Sequence, residues 1–371
     1  MVEDQKSDES LRRRIYKLSF PASTYPIIQI IFNMPYPTRS LGRDGPQVPA
    51  VGLGLMSLGN IYGDAGSLED KVSFLERAHS IGARFWDTAD AYFDSEDAVG
   101  EWVRRSGNRD DIFLATKFAL KFSMDGAVTI QNDPEYVKAA CDKSLQRMGV
   151  DTIDLYYCHR VDGVTPIEQT VQAMVELKNQ GKIKHLGLSE CSAATLRRAH
   201  AVHPIAAYQV EYSPFAPEIE TSAILETCRE LGIAVIAYSP IGRGILTGQI
   251  QSFADLPATD FRRMLPKYAE ENFPKIRELV QGLKQIAERH DSTAAQVAIA
   301  WVLAQGSDII PIPGTKSVRT LEENARAVDL RLTGADLDEI RALIDCTDIP
   351  GLRYPAGMMD SVLGDTPLQS L

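Results

Sequence analysis

An aspartate, a tyrosine, a lysine and a histidine stand at or just beyond the ends of three apolar stretches in this 371-residue chain. Phe85 to Thr88 carries Asp87 at its end, and Tyr92 follows five residues later. Ile112 to Phe118 carries Lys117 near its tip, and Leu155 to Cys158 runs directly into His159. Singly, each has a plain reading. Asp87 could open a turn, Tyr92 could lie on the surface, Lys117 could be a solvated charge, and His159 could be a hydrogen-bonded core residue. Together at successive strand ends they point to proton transfer. A carboxylate keeps an ammonium charged, an ammonium eases a proton off a nearby phenol, and an imidazole orients or relays.

The elements that must position them alternate. Gly42, Asp44, Gly45 and Pro46 predict a short hairpin from Thr38 to Pro49. Val48 to Met56 reads as a Gly-punctuated strand, and Ser67 with Asp70 opens a helix. Ala83 to Thr88 and Asp111 to Phe118 are strands around a helix over Glu96 to Arg105. Asp133, Pro134 and Gly149 delimit the next helix as N-cap, first position and terminator. Ile153 to Cys158 is the fourth strand, and Thr165 to Glu168 reads as a capping box enclosing Pro166. Ile183 to Leu188, Ala206 to Val210 and Ile233 to Ala237 follow as strands. After an insertion come a helix from Thr293 to Ala304, a strand from Ile309 to Pro313, and helices over Ser317 to Ala327 and Gly334 to Ile344. Eight strand–helix units predict an α/β fold of the (β/α)8 TIM-barrel type, with an N-terminal hairpin and a C-terminal helix and tail over the active-site face. A doubly wound open sheet is the alternative. The polar residues gather after strands two to eight, and only a barrel mouth reaches all those ends.

Composition narrows the function. Apolar residues make up 44% of the chain, as in a globular protein, and the net charge of −11 argues against nucleic acid or an anionic membrane as partner. The five cysteines (141, 158, 191, 228 and 346) are scattered, with no metal-ligand spacing, and read as reduced thiols in a cytoplasmic protein with no metal. Residues 1–33 differ from the rest: acids, then Arg12 to Arg14, then a short apolar run from Ile27 to Phe32 broken by Gln29. They read as a disordered extension or a segment absent from the mature protein, with a targeting segment as the alternative. Residues 34–371 are expected to form the barrel domain.

With these residues in place, the chain from Met34 to about Met359 resembles the aldo-keto reductase family, nearest its fungal-type branch and the pyridoxal reductases. The resemblance implies a (β/α)8 barrel, NADPH extended across its mouth, and reduction of a small-molecule aldehyde or ketone in detoxification or a biosynthetic pathway. It implies Tyr92 as proton donor, Lys117 lowering the phenol's pKa, Asp87 holding that lysine, and His159 orienting the carbonyl. Hydride reduction leaves an alkoxide that needs a proton, so this division of labour is chemically complete.

The resemblance also assigns the cofactor side. Ser189 and Glu190 match the segment that binds the nicotinamide carboxamide, although the family usually has Asn where Glu190 stands. Gln209 matches the amide partner of the same group. Tyr238 would stack on the nicotinamide, with Ser239, Pro240, Ile241, Gly242, Arg243 and Gly244 following the pyrophosphate. Gly314, Lys316 and Arg319 open a helix and bring positive charge for a 2′-phosphate, which favours NADPH over NADH; Glu323 and Asn324 match adenine contacts. Gly52, Gly54 and Gly59 do not form a dinucleotide fingerprint. Met56 and His159 would line the substrate pocket, and the stretches Thr247 to Phe273 and Arg353 to Met359 match loops over the cofactor and pocket. An NADPH-sensing subunit, similar to the potassium-channel β-subunits, is the competing class; the chain would be a monomer or homo-oligomer.

Overall fold

A computed structural model describes residues 36–122 and 128–369 of the chain. The expectations for residues 1–33 lie outside the described residues. Eight parallel strands form one sheet: β1 (Leu53–Gly54), β2 (Phe85–Asp87), β3 (Phe113–Phe118), β4 (Ile153–Cys158), β5 (Ile183–Ser189), β6 (Ala207–Glu211), β7 (Ala234–Tyr238) and β8 (Ile309–Pro311). They lie side by side in chain order. The two ends meet, because Gly54 pairs in parallel with Gly314. Gly52 and Gly54 donate backbone bonds to the carbonyls of Pro311 and Pro313, at 2.9 and 3.2 Å. The sheet closes into a barrel, which decides against the open alternative.

Strand alternation divides the core in two. Phe85, Ala115, Leu155, Tyr157, Ala234, Ile236 and Ile310 fill the interior, while Trp86, Leu114, Tyr156 and Val235 pack against the helices. Tyr157 is accommodated because its register partner is Gly187, where a Cβ would collide with the phenol ring. At the amino-terminal face the hairpin Thr38–Ser40/Gln47–Pro49 plugs the interior with Leu41 and Val48. β1 is shorter than expected: the predicted strand splits between this hairpin and Leu53–Gly54.

The α-helices longer than one turn are α1 (Leu68–Ser80), α2 (Ser95–Ser106), α3 (Pro134–Met148), α4 (Ile167–Asn179), α5 (Ala193–Val202), α6 (Ala223–Leu231), α7 (Phe273–Arg289), α8 (Ala294–Ala304), α9 (Val318–Arg326) and α10 (Gly334–Thr347). Ser67 and Asp70 cap α1 reciprocally, and Asp133 accepts the Tyr136 N–H at the start of α3. The box expected at α4 does not form. Asp162 accepts from the N–H groups of Val164 and Thr165 and from the Thr165 hydroxyl, so a local turn takes the cap. Glu168 is drawn instead into a two-pronged pair with Arg198, both contacts 2.8 Å. Two elements went unanticipated: α7, inside the stretch read as an insertion, and a second hairpin, Leu120–Phe122 with Val128–Ile130. No helix of the described residues is long and apolar enough to cross a membrane.

Candidate active site

The carboxyl ends of β2, β3 and β4 bring together the four residues singled out by spacing. Lys117 and Asp87 form an ion pair, both almost fully buried. The ammonium also donates to the Thr88 carbonyl at 2.8 Å, and the second carboxylate oxygen of Asp87 accepts from Gln209 Nε2 at 2.8 Å. Burial pushes Asp87 upward and Lys117 downward, and their mutual attraction opposes both shifts. Lys117 Nζ lies 5.1 Å from the centre of the Tyr92 ring. Tyr92 and His159 meet edge to face, with ring centres 5.8 Å apart. Gly59 lets the short turn after β1 approach the Tyr92 loop closely, since a Cβ there would run into the Tyr92 carbonyl.

Electrostatics departs from one expectation. The Tyr92 phenol is held above its ordinary pKa, by burial first and by Asp87 second, while Arg160 pulls the other way. Burial is the largest cause, so the downward shift expected from Lys117 is not what the site shows. His159 is held well below its ordinary value by burial and by the charges of Lys117 and Arg160, so its ring is neutral at pH 7. Its Nδ1 is buried without a hydrogen-bond partner.

Beside this group runs a shelf formed by the ends of β5, β6 and β7. Ser189 and Gln209 are buried on it. Glu190 is fully buried in a left-handed conformation at φ +51°. Arg353 of the tail grips it with two 2.8 Å bonds, and the Tyr238 hydroxyl donates to it at 2.9 Å. The carboxylate thus fixes the tail and the Tyr238 ring at once. Tyr354 meets the Tyr238 hydroxyl at 3.2 Å, and Arg243 stacks over Tyr354 at 4.8 Å while pairing with Glu211 at 3.2 Å. From Ser239 to Gly244 the backbone turns repeatedly through positive φ, at Ser239, Gly242, Arg243 and Gly244, with Pro240 and Ile241 between. Such turns suit a chain that wraps an anionic group.

The third part of the site follows β8. Gly314 is exposed and seated against Gly54. Lys316 and Arg319 are exposed at the start of α9, whose N-cap is Ser317. Lys316 donates to the carbonyls of Tyr62 and Asp64 at 3.0 and 2.7 Å. Glu323 accepts from the Thr293 hydroxyl at 2.7 Å. Asn324 is buried, with neither amide atom partnered. Met56, half-buried, begins the turn after β1.

The model of the aldo/keto reductase family matches residues 50–345. This chain belongs to the aldo-keto reductase family. Aldo-keto reductase str7 of Strobilurus tenacellus is 50% identical over 341 residues, covering 90% of this chain and 99% of the relative. Aldo-keto reductase yakc [NADP(+)] of Schizosaccharomyces pombe (strain 972 / ATCC 24843) is 46% identical over 339 residues, with the same two coverages. Among solved structures, the glycerol dehydrogenase of Gluconobacter oxydans superposes with a TM-score of 0.75 at 26% identity, covering 91% of this chain and 100% of that one. A thermostable aldo-keto reductase crystallised with the inhibitor epalrestat gives 0.67 at 26% identity, covering 83% and 99%.

The chain is an oxidoreductase of the aldo-keto reductase family, and its candidate site holds residues that spacing alone did not single out. Arg160 follows His159 directly, and its only sequence signal is a second basic residue at a strand end. Arg353 and Tyr354 lie in the tail, already matched to a pocket cap, but nothing nearby announces their partners. The Arg262 guanidinium lies over the Tyr62 ring, 5.6 Å from its centre.

Proposed function

We propose that this chain reduces an aldehyde or ketone to an alcohol with NADPH, with Tyr92 as the proton donor. The observation that carries the reading is the group at the mouth: Tyr92 edge-on to a neutral His159, above a buried Lys117–Asp87 pair. The residues present suit the cofactor. Ser189, Gln209 and the Tyr238 ring would hold the nicotinamide, and the Ser239–Gly244 turns would hold the pyrophosphate. The exposed Lys316 and Arg319 would meet the 2′-phosphate, and Glu323 and Asn324, with its unpartnered amide, the adenine. When bound, the cofactor supplies the hydride.

The chain's own residues do the rest. His159, kept neutral by burial and by two neighbouring cations, hydrogen-bonds the substrate carbonyl without protonating it. Tyr92, held above its ordinary pKa, keeps its proton until an alkoxide develops, which is a stronger base than a phenolate. Lys117, pinned by Asp87 and the Thr88 carbonyl, then faces the phenolate left behind. Glu190 serves as the fixed partner of Tyr238 and Arg353, in place of an amide turned to the cofactor. Five unpaired cysteines favour a cytoplasmic setting.

The test is absorbance at the nicotinamide band with purified protein, NADPH and a panel of aldehydes including pyridoxal. Multiple turnovers are expected, and Tyr92→Phe should cut kcat by roughly 10²–10⁴-fold with NADPH affinity nearly unchanged. Full turnover by that variant would remove Tyr92 from its role. Tight NADPH binding without turnover on any aldehyde would favour a cofactor-sensing subunit instead.

A further inference from the structure

Arg160 sits at the end of β4, directly after His159, and is only 8% exposed. Its Nη1 donates to the His159 carbonyl at 2.7 Å and to Ser189 Oγ at 3.2 Å. Among the described residues, Nε and Nη2 meet no acceptor, so three of the five N–H groups of the guanidinium lack a protein partner. A guanidinium does not give up its charge, and burying it unpaired is costly. The other buried cations of the mouth are each neutralised: Lys117 by Asp87, Arg243 by Glu211 and Arg353 by Glu190. Arg160 has no carboxylate within ion-pair reach among the described residues. Burial works against its charge, and the surrounding Tyr238, Tyr354, Glu190 and Tyr92 work for it.

We propose that Arg160 is the subsite for an anionic group of the substrate, and that the enzyme prefers carbonyl compounds bearing a carboxylate. The inference rests on the reductase reading above and names its substrate class. Position supports it as well as charge. Arg160 is the chain neighbour of His159, whose ring meets Tyr92, and its Nη1 reaches Ser189 on the shelf. An anion bound there lies between the proton donor and the shelf, within a few bonds of the reacting carbon. The planar fork of N–H groups matches a carboxylate, which can accept two parallel bonds from it. The carboxylates nearby cannot compete for that fork, because each already holds its own cation.

The experiment compares 4-oxobutanoate and 3-formylbenzoate with their methyl esters, so that only the charge changes within each pair, and includes benzaldehyde as a neutral control. The wild-type enzyme is expected to favour at least one acid over its ester by roughly 10–100-fold in kcat/KM, the range for a hydrogen bond to a charged group. Arg160→Met should abolish that ratio by raising KM for the acid far more than for its ester, with benzaldehyde reporting whatever the lost charge beside Tyr92 and His159 does to turnover in general. Arg160→Lys, which keeps the charge but loses the fork, should retain part of the ratio and guards against a folding defect in the first variant. Equal rates on acids and esters by the wild type would overturn the proposal and leave the reductase reading standing. So would an Arg160→Met variant that weakens NADPH binding while keeping the acid preference, since Arg160 would then be a cofactor contact. Failure of the wild type to turn over any carbonyl would sink both.

Discussion

Asp90, two residues before Tyr92, is a half-buried carboxyl with one oxygen, Oδ1, left without a partner. Burial and the neighbouring Glu96 push it up to about 7, against the pull of the Ala91 N–H, Lys143 and Arg147. An unfolded aspartate titrates near 3.8. Between roughly pH 4 and 7 the native chain therefore keeps a proton that the unfolded chain has lost, and stability falls as pH rises through that window. Asp90→Asn removes the titration. The variant should match the wild type near pH 4 and exceed it by about 1–3 kcal/mol at pH 8, under a ceiling near 4 kcal/mol for three pKa units. Urea melts at four pH values would check this, and an offset independent of pH would refute it. At this scale the placement of Asp87, Lys117 and His159 together was legible, because each stands at a strand end that opens on the mouth. The pairing of Glu190 with Arg353 was not, because Arg353 lies 163 residues away and reaches it only through the path of the tail.

The loops after the strands do the joining between elements. The turn after β1 is tied to the start of α9 through Lys316, which donates to the carbonyls of Tyr62 and Asp64. The same turn is tied to the insertion after β7 by Arg262, which lies over the Tyr62 ring and donates to the Arg243 carbonyl at 2.7 Å. Lys316 thus spends its donors on neutral carbonyls that a phosphate dianion would outbid. Replacing Lys316 and Arg319 together with Ala should weaken NADPH binding by roughly tenfold or more, as expected for losing charged hydrogen bonds, and NADH much less. Fluorescence titration with both nucleotides decides it; equal losses would mean that these charges do not read the 2′-phosphate. Helix limits were legible where a cap has no rival, as at Ser67 and Asp133. At Thr165 they were not, because Asp162 takes both the Thr165 N–H and the Thr165 hydroxyl that the box would use. Helix α7 escaped notice because the short turns before it, from Phe253 to Asn272, read as one continuous loop.

At the scale of the whole molecule, closure matters more than any strand. The seam between β1 and β8 rests on few backbone bonds, since β1 is two residues long, and it needs support from outside the sheet. The hairpin before β1 provides it. Leu41 and Val48 fill the amino-terminal end of the interior, and Arg39 reaches under β8. Its guanidinium donates to the carbonyls of Gly306 at 2.6 Å and Leu303 at 2.7 Å, and to that of Ile309. These carbonyls lie in and after the last turn of α8 and at the first residue of β8. Arg39 therefore locks the chain just where it enters the closing strand. The hairpin itself was legible from its turn residues; this lock was not, because three backbone acceptors leave no mark in a sequence. Arg39→Met removes the donors while keeping most of the apolar stem, and should destabilise the barrel by about 2–4 kcal/mol, the sum expected for several charged hydrogen bonds partly replaced by water. Because the candidate active site lies at the opposite face, kcat/KM should stay within about twofold of the wild type at temperatures where the variant is folded. Urea melts and steady-state rates on the same preparation test both halves. A stable but inactive variant would mean that the two ends of the barrel are coupled through its interior.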